Sequence, residues 1–151
     1  MDLHKEWDAV TPKLFGYLVN ILHDKALAED ILQTTWLKAI EALPRFTARG
    51  AGFRAWLFAI ARNECKQCWR KTNREIVFDT QEHDIAVGSS AEASILAEQI
   101  LTKLPEDDRE LLRLRYIADL SMSEIAAILN INFIAVRVRV HRALKRAQAY
   151  V

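Results

Sequence analysis

The sequence predicts an all-α protein: two small helical domains joined by an acidic linker, with a helix-turn-helix in the C-terminal domain. Three observations point there. Apolar residues recur at three-and-four spacing in both halves, a stretch near the middle is strongly acidic without that period, and residues 121–146 carry the caps and turn of two consecutive helices.

The 151 residues have a formal charge of only +1, unevenly spread. Residues 1–74 hold twelve Lys/Arg against eight Asp/Glu, and residues 75–94 hold five acids and no Lys or Arg. Residues 95–151 hold nine bases and seven acids, with no acid after Glu124. These three segments are the expected first domain, linker and second domain. The near-neutral total therefore conceals locally basic surfaces and does not argue against a nucleic-acid partner.

In the first domain Leu14, Leu18, Ile21 and Leu22 make one apolar stripe. Residues 28–43 make a second, carried by Ile31, Leu32, Thr35, Trp36, Ala39, Ile40 and Leu43, and Pro44 closes that helix because it has no N–H to donate. Residues 47–52, TARGAG, are a small-residue loop before a third helix over residues 53–70, in which Phe53, Trp56, Leu57 and Ile60 are the expected core. The linker combines Glu75, Asp79, Glu82, Asp84 and Glu92 with Gly88, Ser89 and Ser90, and is longer than connections inside a compact domain usually are. Residues 91–104 form a fourth helix. Pro105, in a first-turn position and followed by Glu106, Asp107 and Asp108, begins a fifth, its acids facing the positive end of the helix dipole.

Ser121 and Glu124 stand three apart before an apolar run, the spacing at which hydroxyl and carboxylate each satisfy an N–H of the first turn. A helix therefore starts at Ser121, with Ile125, Ala126, Ile128 and Leu129 as its apolar face. Asn130 can take the left-handed turn conformation, and Asn132 can cap a further helix bearing Arg137, Arg139, Arg142, Lys145 and Arg146. Residues 136–140 alternate apolar and basic, which alone would suit a half-buried strand. Helical projection decides otherwise: Phe133, Val136, Val140, Ala143, Leu144 and Ala147 gather on one stripe, and strong helix formers follow. Such a basic second helix suits a DNA major groove.

Other classes find little support. No window of about 18 uncharged apolar residues exists for membrane insertion, and MDLHKEWD lacks the basic-then-apolar order of a signal peptide, so a cytoplasmic protein is expected. Cys65 and Cys68 form a lone CxxC; on a helix, without a second ligand pair, they read as small half-buried residues rather than as a metal or redox site. No Gly-rich phosphate loop and no nucleophile with a base and orienter is evident. Neither enzyme activity, metal nor cofactor is expected. A thiol enzyme using the two cysteines is the weakest alternative.

The segments AEDILQTTWLKAIEALPRF, FRAWLFAIARNECKQCWRK, LPEDDRELLRLRYIADLSMSEIAAIL and HRALKRA, in that order, resemble regions two and four of an extracytoplasmic-function sigma factor of the sigma-70 family. The resemblance spans roughly residues 10–74 and 95–149. It implies a promoter-specific RNA polymerase subunit that recruits core enzyme and opens DNA, without catalysing a reaction itself.

By the same resemblance, the helix over residues 28–43 docks on the clamp coiled coil of the polymerase largest subunit, through Asp30, Gln33, Trp36 and Leu37. On the apolar stripe, however, Trp36 also reads as core. The loop at residues 47–52 and the helix after it match the part that melts and reads the −10 element, with Arg49, Arg54, Arg62, Asn63, Lys66, Arg70 and Lys71 available to hold the separated strand. Asn63 can hydrogen-bond a base edge in two directions. The C-terminal domain would bind the β-subunit flap and read the −35 element through Ile134, Ala135, Arg137, Val138, Arg139, Arg142 and Lys145. The acidic linker suits the basic cleft and exit channel of polymerase; a solvated tether is the alternative.

The chain departs from the family in its recognition helix, where Phe133, Ile134, Ala135 and Val138 replace small or polar residues. Phe133 belongs to the core stripe. Ile134 and Val138 share the outward face with Arg142 and Lys145, where they could meet thymine methyl groups or a protein such as an anti-sigma factor. A sigma-like decoy that only binds anti-sigma factors is the competing function.

Overall fold

The computed structural model describes residues 2–47, 50–75 and 91–151, with backbone alone for residues 72–75 and 91–96. Most of the acidic linker, and Arg49 among the expected DNA contacts, lie outside the described residues. Every regular element among those described is helical, and the chain divides into two compact units, Met1–Ile85 and Ala86–Val151.

The first unit packs three helices, α1 (Leu3–Leu22), α2 (Lys25–Ala42) and α3 (Phe53–Glu75). Asp2 accepts from the Lys5 N–H at 3.3 Å to start α1, which runs through Pro12 and is thus longer than the Leu14–Leu22 stripe alone suggests. His23 ends it in the left-handed conformation, and Asp24 accepts from the Leu27 N–H at 3.1 Å to start α2. This back-to-back capping reverses the chain in two residues. A 3₁₀ turn, Leu43–Arg45, contains the expected stop at Pro44. Leu14, Tyr17 and Leu18 of α1 meet Ile31, Trp36 and Ala39 of α2 and Leu57, Phe58 and Ala61 of α3 in the core.

The core differs from the predicted stripes at its edges. Trp36 is 2% exposed, its ring 4.6 Å from Trp7 and 6.1 Å from Phe53. Ile40, expected inside, is 47% exposed. At the margin of the stripe, near the helix end, it runs past the neighbours that cover Ala39.

The second unit contains α4 (Ala91–Lys103), α5 (Glu106–Leu112), a π turn (Arg113–Ile117), α6 (Met122–Leu129) and α7 (Phe133–Gln148). Pro105 occupies the N-cap position, one residue before the place expected for it, and its carbonyl accepts from the Arg109 N–H at 3.0 Å. The π turn was not anticipated; the Ala118 N–H reaches the Arg113 carbonyl at 2.9 Å, five residues back. Leu101, Leu104, Leu112 and Ala143 form one core cluster, with Ile117, Leu144 and Ala147 packed against it.

The local signals of the helix-turn-helix are all realised. The Glu124 N–H donates to Ser121 Oγ at 3.1 Å, and the Ser121 N–H to Glu124 Oε1 at 3.0 Å. Asn130 has φ 54°, in the left-handed region, and Asn132 Oδ1 accepts from the Ile134 N–H at 2.7 Å. Ile125, Val136 and Val140 are buried beneath.

Candidate nucleic-acid interface

The outward side of α3 is the first cationic surface. Its core side is set by Phe53, Leu57, Phe58, Ala61 and Cys65, all buried. At about 100° per residue, Asn63, Lys66 and Arg70 then share one narrow arc on the opposite side, and all three are exposed, as is Lys71. Glu64 does not cancel that charge: it is turned toward α2, where the Lys38 ammonium donates to its carboxylate. Arg54 and Arg62 are half-buried and already engaged within the protein, which makes them flanking groups rather than the exposed centre.

One residue of this surface escaped the sequence reading. Trp69 is 41% exposed and projects beside Arg62 and Lys66, at the border of the cationic arc. Helical projection would not have flagged it, because on the α3 wheel it falls beside the buried Phe58 and is exposed only three turns further along the helix. The loop entering α3 turns through Gly50 and Gly52, with φ of 73° and 89°, conformations that a side chain would strain. Phe46 packs against Trp56 at 4.8 Å and Phe53 at 5.7 Å, fixing where the loop departs.

On α2, Asp30, Gln33 and Leu37 line up at spacings of three and four on the exposed side, with Leu37 63% exposed. Ile40 extends the same stripe. Trp36 does not join it. It is buried beneath that row, against Trp7 and Phe53.

The second cationic surface is α7. Arg137, Arg139, Arg142 and Lys145 are exposed, as expected, while Ala135 is half-buried. Arg146 is otherwise occupied: its Nη1 donates to both carboxylate oxygens of Asp108 on α5, at 2.9 and 2.7 Å, and that carboxylate is 8% exposed. Asp108 is therefore a tether for α7 as well as a first-turn acid. Phe133, expected in the core, is 43% exposed, with the Arg137 guanidinium 5.9 Å from its ring centre. As the first residue of α7 it projects beyond the buried row, and the arginine covers it instead.

Ile134 and Val138 point outward as projected, 68% and 41% exposed. They border an open groove of about 500 Å³ whose other wall is Tyr116 of the π turn and Met122 of α6. Cys65 is buried and Cys68 half-buried, with no disulfide between them, and no group of three or more His, Cys, Asp or Glu is placed to hold a metal among the described residues. No helix among those residues is long and apolar enough to cross a membrane.

Two helical units with cationic helix faces, the second a helix-turn-helix, are the build of a DNA-binding transcription protein. Residues 7–75 match sigma-70 region 2 and residues 94–146 match sigma-70 region 4. The chain is 34% identical over 128 residues to the ECF RNA polymerase sigma factor SigD of Mycobacterium tuberculosis, which covers 79% of this chain. It spans only 60% of that relative's length. It is 30% identical over 146 residues to the ECF sigma factor SigM of Bacillus subtilis, covering 87% of this chain and 86% of the relative. Among solved structures it is similar to the sigma factor RpoE of Bartonella quintana, in complex with the anti-sigma factor NepR: TM-score 0.78, 29% identity, 99% of this chain and 96% of the other. The chain belongs to the sigma-70 family and is an ECF-type member of it.

Proposed function

We propose that this chain works as an alternative sigma factor, a cytoplasmic subunit without catalysis of its own that brings core RNA polymerase to particular promoters and opens them. Residues 1–74 bind core and the −10 element, residues 95–151 bind the β flap and the −35 element, and residues 75–94 join them. The observation that carries this reading is the pairing, in one ECF-type chain, of two unlike cationic helix faces: Asn63, Lys66 and Arg70 bordered by Trp69 on α3, and Arg137, Arg142 and Lys145 on α7. An open strand needs exposed bases to be held and its phosphates neutralised, which the first provides. A closed duplex needs a helix that fits the major groove, which the second provides.

Asp30, Gln33 and Leu37 are the proposed contacts with the clamp helices. Asp30→Ala should weaken core binding several-fold in a fluorescence titration while the melting temperature stays put, since the side chain is exposed; unchanged affinity would take Asp30 off the docking surface. An anti-sigma partner is proposed from the similarity to RpoE, solved with NepR.

Run-off transcription with purified core polymerase, from a promoter library, tests the function. A sigma factor yields transcripts from a subset of templates. A decoy for anti-sigma factors yields none, and the cationic face of α3 would serve it no purpose.

A further inference from the structure

The outward face of α7 has an apolar centre inside a cationic frame. Ile134 sits in the first turn and Val138 one turn further, and neither is covered by the protein. Arg137 flanks them on one side, Arg142 on the other, and the 55%-exposed Tyr116 stands across the groove. Arg115 beside Tyr116 is fixed in place, donating from Nη1 to the Leu120 carbonyl at 3.1 Å with its guanidinium 5.7 Å from the Tyr116 ring.

That arrangement selects its occupant by charge and by polarity. The frame requires an anionic partner, while the Ile134 and Val138 side chains offer no hydrogen-bond donor or acceptor and are stabilised only by apolar contact, the exposed imidazole of His141 lying one turn further along the same groove. Duplex DNA supplies both: phosphates along the groove edges and, on its floor, one apolar group, the C5 methyl of thymine. Cytosine in the same place presents an amino group that Ile134 or Val138 would strip of water without replacing its hydrogen bond.

Resting on the promoter reading above, we infer that Ile134 and Val138 are specificity-determining residues that select thymines in the −35 element through their methyl groups. One helical turn advances 5.4 Å and a base step about 3.4 Å, so the two selected thymines fall within about three base pairs of each other, on either strand.

The test removes the methyl and nothing else. Full-length chain bound to core polymerase selects its −35 sequence from a random duplex library, and each thymine of the winner is then replaced by uracil. The parent should lose about fourfold in affinity at each of two positions, the order expected for one buried methyl-sized group. Ile134→Ala should lose the discrimination at one of them and Val138→Ala at the other, both with unchanged melting temperatures. Equal binding of thymine and uracil duplexes at every position overturns the inference, as does an Ile134→Ala chain that discriminates like the parent; that outcome would fit an acidic protein partner on the groove instead. Run-off transcription from the same templates separates the two levels: selective transcription indifferent to uracil sinks the methyl reading but leaves the sigma factor standing. No selective transcription or binding at all sinks both.

Discussion

The helices α3 and α7 each present an exposed row of Lys and Arg, yet they differ in what stands between the charges. On α3 the interleaved groups are the amide of Asn63 and the indole of Trp69; on α7 they are the aliphatic side chains of Ile134 and Val138. A net charge or a pI would not distinguish the two surfaces. An indole can stack on a base face, and an amide can reach the edge that pairing otherwise occupies, only when strands are apart. Aliphatic groups held in a row on a helix fit the floor of an intact groove. On the proposed function, that difference assigns the open form of DNA to α3 and the closed form to α7.

The largest test of this division concerns an arginine that stands in the basic run of α7 yet pairs within the protein. Arg146 belongs to the basic row of α7 in sequence, but in space it neutralises the buried Asp108 carboxylate. Arg146→Ala should cost about 2–3 kcal/mol of stability in urea unfolding of the second unit, because it leaves a buried acid without its partner. Arg146→Ala/Asp108→Asn should recover a good part of that loss. If Arg146→Ala instead weakens DNA binding at full stability, Arg146 joins the DNA-facing row and Asp108 does not tether α7.

On α3, Trp69→Ala should lower affinity for a single-stranded −10 oligonucleotide by about tenfold, the scale of one base stack, with little change in affinity for the −35 duplex. The complementary result, equal weakening on single strand and duplex, would erase the contrast between the helices.

Caps and turns of this fold were legible because they are local. Ser121 with Glu124, Asn130 and Asn132 announce themselves within four residues, and their hydrogen bonds form as the spacing requires. What was not legible depends on the presence or absence of a distant neighbour. Periodicity assigns Phe133 and Ile40 to an apolar side but cannot say that no helix reaches that far, so both are exposed. It places Trp36 on the apolar stripe, while the resemblance alone gave that residue a docking role, and the rings of Trp7 and Phe53 pack it into the core. The Asp108–Arg146 pair joins residues 38 apart, and the π turn at Arg113–Ile117 has no cue of its own. For the site, the exposed charges on α3 and α7 followed from helical projection, whereas Trp69 was passed over among more polar neighbours.

The smallest expected effect is the most diagnostic. Arg142 lies on the outward side of α7, exposed and a turn beyond Val138, where a guanidinium can reach a phosphate as the helix lies in the groove. Arg142→Ala should weaken −35 duplex binding by several-fold at moderate salt and make the dependence of log affinity on log salt shallower by about 0.9, as expected when one phosphate is no longer neutralised by the protein. A side chain that touches a base behaves otherwise: its removal changes which sequence is preferred. Val138→Ala should therefore relax sequence preference at an unchanged salt slope, and Arg142→Ala should change the slope at an unchanged preference. Measured side by side, the two variants resolve the apolar centre of α7 from its cationic frame; should both shift slope and preference together, the helix does not lie in the groove as proposed.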